Sequence, residues 1–139
     1  MRSTSSVALW LLMTLGLVIT PIRAQSPLKV VAHIALPTVS GRIDHLAFDA
    51  ARKRLFVAAL GNNTVEVLDT ARATHLRSLA GFREPQGIAF VPDLNGVAIA
   101  NGGSGTLQMI DAESYQTRWT TPIGGDADNV RYDQAGKRL

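Results

Sequence analysis

The chain has 139 residues, of which 46% are hydrophobic, 18% charged and 6% aromatic, and it contains no Cys. A chain of this length forms at most one domain, and the composition is too apolar and too weakly charged for a disordered protein. The absence of Cys excludes disulfides, a thiol nucleophile, Cys-ligated zinc, iron–sulfur clusters, covalently attached haem and a lipoprotein anchor on an N-terminal Cys.

Residues 1–24 have the layout of a secretory signal peptide. Arg2 supplies a positive start, residues 7–19 form an apolar run, and residues 21–24 end in a small Ala after which we expect cleavage. The alternative is a membrane anchor, but a spanning helix needs about 20 apolar residues, which this run does not provide. We therefore predict a periplasmic or secreted protein with no membrane span after signal cleavage.

The basic charge of the chain belongs largely to that segment. The formal net charge is +3, and removing Arg2 and Arg23 from the 14 basic residues leaves 12 against 11 acidic ones, a net charge of +1. The basic cluster at 52–54 is short and has no aromatic residues interleaved with it. We therefore expect no nucleic acid among the partners.

From residue 38 onward the sequence repeats at an interval of 42 residues. Aligned without gaps, residues 38–79 and 80–121 share six identities, with conservative apolar pairs between them. The third copy is more similar, because seven of the fifteen residues in 125–139 are identical to those in 41–55. A period of this length indicates a repeat architecture.

Each copy has the pattern of short strands separated by turns. In the first copy we predict strands at 45–49, 54–59, 64–68 and 74–80, with a Gly/Asn-rich turn at 60–63. No segment after the signal peptide keeps a 3.6-residue apolar period over three turns, which excludes a helical fold. Four strands in about 40 residues are typical of a β-propeller blade.

Two features predict that successive sheets pack face to face. Residues 55–60 and 97–100 are apolar without alternation, which indicates strands buried on both faces. An aromatic residue also recurs at the same point of each inner strand, as Phe48, Phe90 and Tyr132. We expect these three side chains to form a layer between blades.

The segment from Phe56 to Asp69, FVAALGNNTVEVLD, resembles the consensus of the YVTN family of β-propeller repeats. In that consensus an aromatic-Val-x-Asn strand passes through a Gly/Asn turn into T-V-x-V-I-D. The second copy, from Ala98 to Asp111, keeps the Asn and the closing strand but lacks the aromatic residue. The resemblance extends over residues 28–139 and implies an extracytoplasmic all-β protein, but it implies no particular activity.

On this interpretation residues 25–139 form a partial β-propeller of four-stranded antiparallel blades. We predict an N-terminal strand at 28–36, blades at 44–80 and 86–121, and the start of a further blade at 128–139. A closed propeller has at least four blades, which at the observed interval require about 168 residues. We therefore expect an incomplete propeller, and a chain that is the N-terminal fragment of a longer protein.

The best candidate site is formed by the connections from the outer strand of one blade to the inner strand of the next. In repeat register these are residues 42–45, 84–87 and 126–129, here called the axial segments. They converge at one mouth of the central channel, and loops on a rigid scaffold often carry function. The side chains that we predict to bind a ligand are Arg42, Asp44, His45, Glu84, Gln86, Asp126, Asp128 and Asn129.

A structural role for these residues is an open alternative. In that case Arg42, Glu84 and Asp126 would form ion pairs between blades, while Asp44 and Asp128 would hold backbone amides at turns. No catalytic residue and no metal ligand is assigned. Elsewhere, two aspartates that close equivalent strands are expected only to accept hydrogen bonds from turn amides, namely Asp69 and Asp111.

The favoured function is a binding or scaffold module that presents the axial segments to a small molecule or a protein. The alternative is a metal-assisted enzyme similar to gluconolactonase or streptogramin-lyase propellers. In such an enzyme carboxylates and an Asn carbonyl would hold Ca²⁺ or Mg²⁺, and His45 would act as a general base. The ligand sets of those enzymes are not recognisable here, and the sequence indicates no particular cofactor.

Overall fold

The computed structural model describes residues 28–139, so the predicted signal peptide at 1–24 lies outside the described residues. Eight strands form two four-stranded antiparallel sheets, each with its strands side by side in chain order. The first sheet contains β1 (Leu46–Asp49), β2 (Arg54–Ala59), β3 (Thr64–Asp69) and β4 (Thr74–Leu79), and the second contains β5 (Pro85–Val91), β6 (Gly96–Asn101), β7 (Thr106–Asp111) and β8 (Thr117–Pro122). The predicted all-β fold is confirmed. Among residues 28–139, no helix is long and apolar enough to cross a membrane.

The backbone is left-handed at positions that differ by the repeat interval. In the first two copies positive φ occurs at Lys53 and Asn95 after the first strand, at Asn63 and Gly105 after the second, and at Ala73 and Tyr115 after the third. In the third copy Lys137, at the position of Lys53 and Asn95, also has positive φ. Residues other than Gly rarely adopt this conformation. The copies therefore share the turns of their backbone as well as part of their sequence.

Aspartates close the ends of strands by accepting hydrogen bonds from the turn that follows. Asp69 accepts the backbone N–H groups of the second and third residues after it, both at 2.9 Å. Asp111 accepts the corresponding groups at 2.9 and 2.7 Å. Asp49 and Asp133 make the same pair of bonds at 3.0–3.1 Å. The predicted role of Asp69 and Asp111 is therefore confirmed.

The two sheets pack face to face around one apolar cluster. Its main members are Phe56, Ala58, Val65 and Val67 from the first sheet and Ile88, Val97, Ile99 and Ile110 from the second. Tyr115 packs against this cluster, and the guanidinium groups of Arg54 and Arg77 lie 5.9 and 5.7 Å from its ring centre, within the range of a cation–π contact. β6 is buried along its whole length, as its unbroken apolar sequence predicts.

Residues 28–36 contain no strand in the described part of the chain, and the N-terminal strand stays a prediction. A strand needs partners for its backbone groups, and neither sheet takes up this segment. Residues 128–139 form only an isolated bridge, but Val130 and Tyr132 pack against a second apolar cluster. That cluster consists of Val91, Ala98 and Met109.

The predicted aromatic layer is present at two of its three positions. Phe90 packs against the cluster between the sheets, and Tyr132 packs against the cluster on the other face of the second sheet. Phe48 is 47% exposed, because no sheet precedes the first one among residues 28–139. The aromatic residue of one copy thus packs against the sheet of the copy before it.

Candidate functional site

The first two axial segments are attached to residues at or just after the ends of the second strands in their own sheets. Gly61 donates its N–H to the Arg42 carbonyl at 3.0 Å, and Gly102 donates its N–H to the Glu84 carbonyl at 3.0 Å. Gly61 has no room for a side chain, because a Cβ there would lie 2.7 Å from the backbone nitrogen of Arg42. The first two segments are therefore held by equivalent backbone contacts on rigid sheets.

In the first axial segment Asp44 lies between two basic side chains. Its Oδ2 accepts a hydrogen bond from Arg42, which raises the pKa of that guanidinium. Its Oδ1 lies 2.9 Å from Nδ1 of His45, but the two groups are not aligned for a hydrogen bond. Nδ1 is the one buried side-chain polar atom without a hydrogen-bond partner in the described part of the chain. Arg42 is 63% exposed, so its ion pair adds little stability.

In the second axial segment Glu84 and Gln86 lie over two consecutive glycines. A Cβ on Gly102 would meet the Gln86 amide nitrogen at 2.1 Å, and one on Gly103 would meet a Glu84 carboxylate oxygen at 3.1 Å. Glu84 is exposed and has a left-handed φ of 48°, whereas Gln86 is buried. The Glu84 N–H donates to Oδ1 of Asn63 at 2.7 Å, which connects this segment to the first sheet.

The third axial segment presents three exposed polar residues, Asp126, Asp128 and Asn129. Its backbone touches the second segment, since a Cβ on Gly87 would lie 2.8 Å from Cα of Asn129. The Asp128 carboxylate also contributes to the raised pKa of Arg42. The three segments therefore share one end of the inner strands, as the repeat register predicts.

The side chains at this end are not joined by the ion pairs that a structural role would require. Within residues 28–139 Arg42 pairs with Asp44 of its own segment, and Glu84 and Asp126 take part in no ion pair. The same residues contain no group of three His, Asp or Glu side chains placed to hold a metal ion. Three carboxylates of the axial segments, those of Glu84, Asp126 and Asp128, therefore have no ion-pair partner within residues 28–139.

A buried carboxylate that sequence reasoning missed lies in β3. Glu66 is fully buried, and its Oε2 accepts hydrogen bonds from His75 Nε2 at 2.7 Å and from the Ser78 hydroxyl. The equivalent positions in the second copy hold Gln108 and Thr117, which are joined by a neutral hydrogen bond of 2.9 Å. In the sequence, the joint replacement of Glu66 and His75 by Gln108 and Thr117 one repeat interval later would have indicated that these two positions are in contact.

Two adjoining cavities of about 500 and 490 Å³ lie along the inner strands. The first begins at Leu46, Ile88 and Val130, which directly follow the axial segments, and the second lies at the turn after β1. Both are lined by Phe48, Phe90 and Pro92. The axial segments precede β1 and β5, whereas these residues lie near the ends of the two strands or just beyond them. Sequence reasoning placed Phe48 and Phe90 in a packing layer and did not predict a cavity beside them.

No protein-family model and no curated protein matches the sequence, but solved structures match its fold. Hydrazine synthase of Kuenenia stuttgartiensis has a TM-score of 0.63 at 17% identity, over 81% of this chain and 31% of that chain. Apo AztD of Citrobacter koseri has a TM-score of 0.58 at 19% identity, over 69% and 28%. A structure of the nidogen/laminin complex has a TM-score of 0.50 at 18% identity, over 55% and 28%.

These similarities concern the fold alone, since all three identities are below 20%. The chain spans less than a third of the length of each matched structure. The matched proteins are of the β-propeller type. The first sheet is therefore blade 1 and the second is blade 2 of a β-propeller, and residues 28–139 contain fewer blades than the four that a closed ring requires.

Proposed function

We propose that this protein is an exported YVTN-type β-propeller protein, periplasmic or secreted, that binds a small molecule or a protein through its axial segments. The layout of residues 1–24 supports export, and the segment from Phe56 to Asp69 supports the YVTN relationship. The observation that carries the binding role is the meeting of three axial segments at one end of the inner strands. Gly87 touches Asn129 there, and Asp128 acts on Arg42.

The geometry of the axial segments suits recognition. The backbones of the first two are held by hydrogen bonds to glycines of the blades, so these two need little ordering when a ligand binds. The carboxylates of Glu84, Asp126 and Asp128 are without ion-pair partners in residues 28–139. Such a surface attracts positively charged groups, and we expect the ligand to carry at least one.

Binding is tested on the full chain with spermidine and tetralysine as cationic probes and citrate as the anionic comparison. Titration calorimetry should detect binding of the cationic probes to wild type, and Glu84→Gln combined with Asp128→Asn should weaken that binding. Glu113→Gln is the matched control, because it removes an exposed carboxylate from a remote turn. Equal affinity of the two variants for the cationic probes would contradict the proposal.

Export is tested separately by expression in a bacterial host followed by fractionation. The product should be found outside the cytoplasm, and its mature chain should begin at Gln25. A cytoplasmic product that keeps residues 1–24 would contradict the proposed localisation without bearing on the axial segments.

A further inference from the structure

The turn between the first two strands of a blade forms a cleft with the inner segment of the next copy, and residues 28–139 contain this cleft twice. The 1–2 cleft lies between turn residues 49–52 of blade 1 and Phe90 of blade 2. The 2–3 cleft lies between residues 91–94 of blade 2 and Tyr132. Corresponding positions are 42 residues apart, so the two clefts can be compared residue by residue.

The 2–3 cleft is closed by polar contacts across it. The Tyr132 hydroxyl donates a hydrogen bond of 2.8 Å to Oδ2 of Asp93, and this bond raises the pKa of Tyr132. Nζ of Lys137 lies 3.8 Å from the same carboxylate oxygen. The remaining cavity has a volume of about 240 Å³.

The 1–2 cleft cannot be closed in this way. Ala51 stands where the second copy has Asp93, and Phe90 stands where the third has Tyr132. Neither a hydroxyl nor a carboxylate is therefore available at these two positions. The cavity here has about 490 Å³, about twice the volume of its counterpart. Small-molecule sites have volumes of roughly 300–1,000 Å³ and mainly apolar linings.

The adjoining cavity adds a positive charge to this apolar surface. It has a volume of about 500 Å³, shares Phe48, Phe90 and Pro92 with the 1–2 cleft, and is also lined by Arg131. Arg131 takes part in no ion pair within residues 28–139. Its guanidinium carries five donors and remains charged at every physiological pH. An apolar cavity thus lies beside an exposed guanidinium that has no ion-pair partner within residues 28–139.

We propose that the 1–2 cleft and the adjoining cavity bind an apolar small molecule with a single anionic group. The apolar body lies against Phe48, Phe90 and Pro92, and the anionic group pairs with Arg131. This site goes beyond the function proposed for the axial segments. Phe90, in the apolar part, lies four residues beyond Gln86 along β5, a separation of about 13 Å at the rise of a strand. Arg131 lies two residues beyond Asn129, so the charged part of the site adjoins the third axial segment.

The first experiment separates the two parts of the site with a pair of fluorescent probes. 8-Anilinonaphthalene-1-sulfonate is apolar and anionic, and N-phenyl-1-naphthylamine has a closely similar frame without the charge. Arg131→Gln should weaken the anionic probe about fivefold to tenfold, the value of one charge-assisted contact. The same change should alter the affinity for the neutral probe less than about twofold. Equal effects on both probes, or no effect on either, would overturn the role of Arg131.

The second experiment transfers the closing pair from one cleft to the other. Ala51→Asp combined with Phe90→Tyr should close the 1–2 cleft and weaken both probes at least about tenfold. Circular dichroism and thermal unfolding establish whether this variant is folded. Unchanged binding of both probes by the folded variant would overturn the location of the site.

The reverse variant does not depend on the first one folding. Asp93→Ala combined with Tyr132→Phe should open the 2–3 cleft and add a second binding site for the neutral probe. A stoichiometry that remains at the wild-type value would overturn the equivalence of the two clefts. Glu84→Gln with Asp128→Asn should leave the affinity for the neutral probe unaffected, so failure of this site and failure of the axial proposal are distinguishable.

Discussion

Gly87 lies where β5 begins to pass the third axial segment, and its missing side chain allows the two backbones to touch. A Cβ there would lie 2.6 Å from the backbone nitrogen of Val130 and 2.8 Å from two backbone carbons of Asn129. Carbon atoms make favourable contacts at about 3.5–4.0 Å. Gly87→Ala must therefore displace a neighbouring backbone, since no side chain is present that could rotate away.

Gly87→Ala can be accommodated by overpacking or by detachment of residues 128–134, and its free-energy cost is that of the less costly response. If the segment stays in place, overpacking costs about 1–3 kcal/mol. If residues 128–134 detach, the chain loses the contacts of Val130 and Tyr132 with the second apolar cluster. Both side chains are only partly buried, so this loss is about 3 kcal/mol, given 1.5–3 kcal/mol for complete burial of one apolar side chain. We expect the free energy of unfolding to fall by about 1–3 kcal/mol.

Urea unfolding measures this loss, and amide hydrogen exchange shows where it occurs. Amides in residues 128–134 should exchange faster in Gly87→Ala, while those of β2 and β6 should change little. Gly125→Ala is the matched control, because nothing lies within 4 Å of its Cβ position and its φ is not left-handed. Its stability should stay within about 0.5 kcal/mol of wild type. If both variants have the stability and the amide exchange of wild type, the contact of Gly87 with the third axial segment does not exclude a side chain at residue 87.

Three further predictions concern polar contacts. Turn amides and a guanidinium hold the pKa of Asp111 well below its ordinary 3.8. Its contribution to stability is therefore present above about pH 4 and is lost as pH falls further. In urea unfolding at decreasing pH, the stability of Asp111→Asn should fall less steeply than that of wild type, and parallel curves would contradict this. His75→Ala removes one of the three side chains that hydrogen-bond to the fully buried Glu66 carboxylate, so it should cost about 2–3 kcal/mol of unfolding free energy. Thr117→Ala at the equivalent neutral pair should cost about 1 kcal/mol. Equal costs in urea unfolding would contradict the stronger role of the buried carboxylate. Asn63→Gly keeps the left-handed backbone and loses one hydrogen bond, whereas Asn63→Ala also adds about 1–2 kcal/mol of backbone strain. The thermal unfolding midpoint should therefore fall less in Asn63→Gly than in Asn63→Ala. Equal midpoints would refute this.

The strands could be predicted because each copy carries its own apolar pattern and turn residues. The predicted bounds of β2 coincide with those observed, and the predicted bounds of β1, β3 and β4 are each within one residue. Residues 28–36 show the limit of this reasoning. Their sequence suits a strand, but a strand also requires a neighbouring edge in register, and that information lies in the rest of the fold.

The site could be predicted in position but not in its contacts. Repeat register brought the axial segments to one end, yet it could not show that Asp44 is engaged within its own segment. Which groups a side chain contacts depends on the backbone dihedral angles at its residue, such as the left-handed φ of Glu84, and repeat register does not predict these angles. The partner of Glu66 was hidden for a related reason. β3 and β4 pair with a register shift between Val67 and Leu68, which changes the outer-strand residues that face it.

The left-handed turns at a fixed interval show which property of the repeat is kept when its side chains differ. The same position of the repeat has positive φ in all three copies, although its residues are Lys53, Asn95 and Lys137 rather than Gly. The hairpin therefore imposes this dihedral angle on whatever side chain occupies the position. Side chains of different chemistry are therefore tolerated at this position as long as the bend itself is preserved. Blades 1 and 2 are more alike in these backbone angles than in the six residues that they share.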